Sequence, residues 1–155
     1  MPRIGDLRRW SITTLVLAFA LTSLAKPAPG DPTVEELKAR VSSTDIQERP
    51  SLCMRISERQ LSAADKFYAD GANERAVAAL VDVEAFAELA RDYAIQSHKH
   101  EKQTEITVRK MARKLADIKR TVAHDDQKPI QDTIDGLQRV RDDLLAAMFP
   151  KGKKK

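Results

Sequence analysis

Two places in the chain carry side chains suited to metal chemistry: His98, His100 and Glu101 in mid-chain, and His124, Asp125 and Asp126 further on. Imidazoles and carboxylates are ordinary ligands for zinc and related ions. Their spacing argues against a shared ion. On a helix, residues two apart project about 200° apart, so His98 and His100 would meet only if the chain unwound locally. There is no His-x-x-x-His pair, and no Glu-x-x-His on each of two helices of the kind that builds di-metal bundles. The reading is a solvated polar belt with no metal and no cofactor. His98, His100 and Glu101 remain the alternative ligand set.

Covalent catalysis finds no better footing. A Ser or Cys nucleophile needs a base beside it and a site for the developing oxyanion. No Gly-x-Ser-x-Gly, Walker or zincin pattern occurs. Cys53, the single cysteine, cannot form an intramolecular disulfide. It sits near Leu52 and Ile56 on the apolar side of its segment, where a free thiol packs as a small hydrophobe. Asp125-Asp126 and Asp142-Asp143 are neighbours in sequence, as turn and surface acids usually are. The expectation is that the protein is not an enzyme.

One stretch is strongly basic. From Arg91 to Arg120, nine bases (Arg91, Lys99, Lys102, Arg109, Lys110, Arg113, Lys114, Lys119 and Arg120) face four acids. One reading is a contact for anionic headgroups or polymers, carried by Arg109, Lys110, Arg113 and Lys114 with the terminal Lys153, Lys154 and Lys155. The other is internal pairing with the last helix, where Asp132, Asp135, Asp142 and Asp143 would run antiparallel to the stripe. Charge runs of this kind are more often solvated or locally paired, and internal pairing is preferred.

The elements that must position these groups are helical. The chain has 155 residues, of which 42% are hydrophobic, 32% charged and only 5% aromatic. That suits one domain with a modest aliphatic core. The central stretch, Asn73 to His124, contains neither Gly nor Pro. Apolar or small residues recur at Ala76, Leu80, Val83, Ala87, Ala90 and Ala94, then at Val108, Met111, Leu115, Ile118 and Val122. Steps of three and four place them on one helix face.

Shorter helices flank this stretch. Thr33 with Glu36 is a capping-box pattern opening a helix to about Ser43. Pro50 suits the first turn of a helix reaching about Asp70, with Cys53, Ile56, Ala63, Ala64 and Phe67 inward and Leu61 and Tyr68 flanking. Gly71 as C-terminal cap and Asn73 as N-cap then force an antiparallel hairpin through three linking residues. Pro129 starts the last helix, whose inward stripe is Ile130, Ile134, Leu137, Val140, Leu144 and Met148. Gly136 inside it costs about 1 kcal/mol relative to Ala and calls for a close neighbour.

The fold class is therefore all-α, and two architectures fit. Antiparallel helical hairpins could surround one long central helix, about 73–124. Alternatively the stretch bends at 96–102 and four segments form an up-down four-helix bundle. The polar interval favours the bend, since Glu101 and Lys102 should not face a dry core. The continuous helix is preferred, because no residue supplies a stop signal.

Residues 1–25 read as a secretory signal peptide. Arg3, Arg8 and Arg9 precede the apolar run Trp10–Leu24, and Ser23-Leu24-Ala25 resembles a cleavage site. At about fifteen residues the run is short for a bilayer span, which needs about twenty. No stable transmembrane segment is expected after cleavage, and the destination is the periplasm or the exterior. A Pro-rich leader (26–32), one helical domain (33–150) and a basic tail (151–155) follow.

The net charge of +4 falls to +2 without the three arginines and one aspartate of residues 1–25. Without the four tail lysines it falls to −2. The basic balance thus belongs to the ends, and a broad nucleic-acid-binding face is not expected.

Ala64, Phe67, Gly71, Ala76 and Leu80 fall at offsets that loosely resemble one tetratricopeptide unit. No second unit appears thirty-four residues later and no Pro ends the second helix, so that family's peptide groove is not implied. As a whole the chain resembles the small exported helical proteins of unknown function that bacteria encode, a likeness that implies no chemistry. The expected role is a non-enzymatic scaffold or protein-interaction module, its partner a protein or a second copy in a homodimer. The alternatives are a small-ligand or metal-binding bundle, or an envelope-associated protein held to anionic surfaces.

Overall fold

The computed structural model describes residues 30–150. The expected signal peptide, most of the Pro-rich leader and the lysine tail lie outside the described residues. Within them the chain is all-α. α1 spans Val34–Arg40, α2 Arg49–Ala69, α3 Asn73–Ser97, α4 Glu101–Thr121 and α5 Gln127–Met148. A 3₁₀ turn, His124–Asp126, leads into α5.

The helix ends follow local chemistry. Thr33 Oγ1 accepts from Glu36 N–H at 3.2 Å, and Glu36 Oε2 accepts from Thr33 N–H at 2.8 Å, which completes the capping box. At the end of α2, Gly71 has φ 72°. Ala72 N–H reaches Phe67 C=O at 2.8 Å and Gly71 N–H reaches Tyr68 C=O at 3.1 Å, the paired bonds of a Schellman stop. Asp70, Gly71 and Ala72 therefore link α2 to α3 as expected. Asn73 differs from expectation: it is the first helical residue, and its side chain donates to Asp126 Oδ2 at 2.8 Å instead of capping.

The preferred continuous helix over 73–124 does not form. α3 stops at Ser97, and His98 and His100 both adopt left-handed backbone conformations, φ 53° and φ 63°. Lys99 N–H closes the end of α3 on Ala94 C=O at 3.3 Å. The gain that offsets this turn is tertiary. A rod would leave each half covered by its own partner helix alone. Folding back gives every long helix two long neighbours, and each buried aliphatic side chain contributes about 1.5–3 kcal/mol.

The result is two antiparallel hairpins, α2/α3 and α4/α5, packed face to face. α3 lies along α5, a parallel pair, while α4 meets both α2, to which it is parallel, and α3 more sparingly. The stripes read from the sequence form the core between them. Ala76, Leu80, Val83, Ala87, Ala90, Ala94, Val108, Met111, Leu115, Ile118, Ile130, Ile134, Leu137, Val140 and Leu144 are all buried. Leu61, expected as a flanking residue, is buried, and Ala63 is only partly so.

α1 docks on this bundle. Leu37 packs with Leu52 and Ile56. Lys38 donates to Asp82 Oδ2 at 2.7 Å, and its ammonium lies 5.6 Å from the Phe86 ring centre. Gly136 is buried where α5 meets α3, beneath the Glu84 side chain.

Candidate functional site

The bend leaves His98, His100 and Glu101 without a third converging ligand among the described residues. His98 is 86% exposed at its side chain, with Nδ1 3.6 Å from Glu101 Oε1. His100 is exposed, and His124 lies in the α4–α5 link beyond the far end of α4. No group of three or more His, Cys, Asp or Glu is placed to hold a metal ion among the described residues. Cys53 is fully buried, and burial pushes its thiol up to about 11, with Arg49 opposing. A thiol held protonated at neutral pH is a poor nucleophile.

The basic stretch and the acidic last helix pair less than expected. Arg91 does bridge to Asp143 at 2.9 Å. Elsewhere the acids of α5 point to solvent or serve their own helix: Asp132 takes Lys128, and Asp135 takes the Gln131 amide. Lys114 instead reaches Asp65 on α2 at 2.6 Å. The reason is orientation. α4 and α5 meet through apolar stripes, and the ion pair that crosses between them joins an acid of α4, Glu105, to a base of α5, Arg141. Lys110 and Arg113 make no ion pair among the described residues.

Charge is sorted by face. α2 carries four bases against two acids and α4 seven against three, and these two are neighbours. α3 carries two bases against five acids and α5 three against four, and they too are neighbours. One side of the bundle is thus basic and the other acidic.

Two surface features stand out against this field. The first is a groove of about 280 Å³ between α4 and α5. Small residues on α4, Ala112 and Ala116, leave room opposite Ile134 and Leu137 of α5, and Val108 closes the apolar floor. Arg109, Arg113, Arg141 and Gln138 stand around it. Glu105, only 7% exposed, organises the rim. Its Oε1 accepts from Arg141 Nε at 2.8 Å and lies 3.8 Å from Arg109 Nε. One buried carboxylate therefore bonds one guanidinium fork at the groove and holds a second within ion-pair distance.

Arg109 and Arg113 were expected as anion contacts, and the structure brings them together here. Lys110 and Lys114 line the α2–α4 side instead. Glu105, Gln138 and Arg141 were missed as members of a site. The i, i+4 spacing of Glu105 and Arg109 was the available signal. Lys153, Lys154 and Lys155 lie outside the described residues.

The second feature is the outer side of α3. Besides its buried stripe this helix exposes Ala78, Val81, Ala85 and Leu89 at steps of three and four. Val81 is 63% exposed and Leu89 37%. Glu74, Glu88 and Asp92 surround the strip, and Arg91 bridges Asp92 and Asp143, each at 2.9 Å. A helix apolar on both sides is usually covered on both.

Compared with known protein families, curated proteins and solved structures, the chain matches none.

Proposed function

We propose that the protein is an exported, non-enzymatic helical interaction module, and that the outer face of α3 is its docking surface. The observation that carries this reading is the second apolar strip, Ala78, Val81, Ala85 and Leu89, on a helix whose other side already belongs to the core. Leaving such a strip in water gains nothing for a free monomer, whereas a partner helix would bury it in ridges-into-grooves contact.

The rim specifies the partner. An antiparallel second copy centred between Val81 and Ala85 sets Glu74 of one copy opposite Asp92 of the other, a like-charge contact that disfavours self-pairing. A helix with an apolar face and basic flanks meets no such penalty. The reading is therefore a hetero-partner of basic amphipathic character, docked on the acidic side of the bundle.

The test compares two designed helical peptides with the same Leu/Ala face, one flanked by lysines and one by glutamates, in binding titrations with the full chain. The lysine form should bind at least about tenfold more tightly, the factor that 1.4 kcal/mol produces. Val81→Asp with Leu89→Asp, at exposed positions, should abolish the preference while helicity is kept. Equal binding of the two peptides, or binding indifferent to the double variant, would sink the reading.

A further inference from the structure

From the α4–α5 groove we infer a second, independent site that binds a small amphipathic anion, with a carboxylate or phosphate-monoester head and an apolar body. The floor and rim ask for different things. The half-buried Ala112 and Ala116 with the edge of Ile134 offer an apolar trough over the fully buried Val108 and Leu137, which a hydrocarbon body covers with release of water. Three guanidiniums stand at its edge, and one buried carboxylate offsets a single positive charge, leaving a formal excess of two.

The arginines are prepared for an anion. Arg141 commits Nε to Glu105 and Arg109 turns its own Nε toward the same oxygen. Their Nη groups are left for an oxyanion, the planar fork geometry that suits carboxylate and phosphate. Arg113 has no carboxylate partner among the described residues and supplies the third fork. Gln138 adds a neutral amide at the same rim.

Size limits the ligand. At about 280 Å³ the groove lies just below the roughly 300–1,000 Å³ of pockets that hold drug-sized ligands. It fits a short chain or a single ring rather than a whole two-chain lipid. The site is lined by α4 and α5 and shares no residue with the apolar strip of α3, so neither reading depends on the other.

The experiment is a calorimetric titration of the full chain with octyl phosphate and octanoate below their micellar concentrations. Octanol, inorganic phosphate and anionic phosphatidylglycerol vesicles serve as comparisons. Octyl phosphate should bind at least about tenfold more tightly than either octanol or inorganic phosphate. Arg113→Gln, at an exposed position, should weaken it several-fold, and Ala112→Leu, which fills the trough, should remove it while the melting temperature is retained. Equal affinity for inorganic phosphate would reduce the groove to a nonspecific anion contact and overturn the inference. So would binding to vesicles without binding to octyl phosphate, or binding that survives Ala112→Leu. Loss of the peptide preference on α3 would leave this result untouched.

Discussion

Cys53 shows how burial alone can decide a residue's chemistry. Its thiol has no exposed surface and burial raises it from 9.0 to about 11, so it stays protonated in any physiological compartment. In the unfolded chain the same thiol titrates near its ordinary value. The folded state therefore holds the proton more tightly, and stability is unaffected below pH 9 but falls as pH rises from 9 toward 11. The limit of that loss is roughly 2–3 kcal/mol, since each tenfold gain in proton affinity is worth about 1.36 kcal/mol. The native protein at pH 8 should be inert to a thiol-specific chromogenic reagent and should react with one equivalent in denaturant. Rapid reaction of the folded chain would place Cys53 at an accessible site and revive it as a nucleophile. Glu105 makes the opposite case. A carboxylate one turn beyond the polar interval, it is buried because two guanidiniums accompany it, as a carboxylate in a packed helix interface requires.

Between elements, the closest constraint is the meeting of α3 and α5 at Gly136. A Cβ built there would collide with the end of the Glu84 side chain, whose Cγ lies 3.0 Å away. Glu84 bonds Arg139 at 3.1 Å, and burial raises its carboxyl above the usual range while Arg139 pulls it down. Gly136→Ala should thus be nearly neutral, since better helix propensity is set against displacement of Glu84. With Glu84→Ala already in place the same change should stabilise by about 1 kcal/mol, read as a shift in the urea midpoint. A shift no larger than in the parent would mean the helix backbones, and not Glu84, enforce glycine.

The sequence made this level of structure legible only in part. The inward stripes of α2 to α5 and the α2–α3 hairpin followed from spacing and from Gly71, because each needs only local geometry. The pairing of Glu105 with Arg141 depends on the register between α4 and α5, and no local pattern fixes that. The outer strip of α3 was hidden for a simpler reason: Ala78, Val81, Ala85 and Leu89 look like surplus members of the core stripe until the bundle shows which side is covered.

At the scale of the whole molecule, the turn at 98–100 decides whether the chain is a compact bundle or a rod. Sequence reasoning preferred the rod because Gln96 to Lys102 holds neither Gly nor Pro, and the bundle prevails because it covers two faces of every long helix. The turn nonetheless places two L-residues, His98 and His100, in the left-handed region, at roughly 1–2 kcal/mol each. Glycine removes most of that strain, while its extra freedom when unfolded returns about 0.5–1 kcal/mol per site. His98→Gly with His100→Gly should therefore raise stability by about 1 kcal/mol and the melting temperature by about 4 °C, with the oligomeric state of the parent unchanged. The double alanine variant should act in the other direction. Alanine is the best helix former and gains nothing in the left-handed region, so α3 and α4 are drawn toward one continuous helix. The only way to keep the core covered is then to exchange α4/α5 hairpins between two copies, a domain swap at a strained hinge. Light scattering should show a concentration-dependent doubling of mass for the alanine pair relative to the parent and none for the glycine pair. If both variants keep the parent's mass and stability, the bend is held by packing so strong that its backbone cost is irrelevant, and the hinge is no switch between bundle and rod.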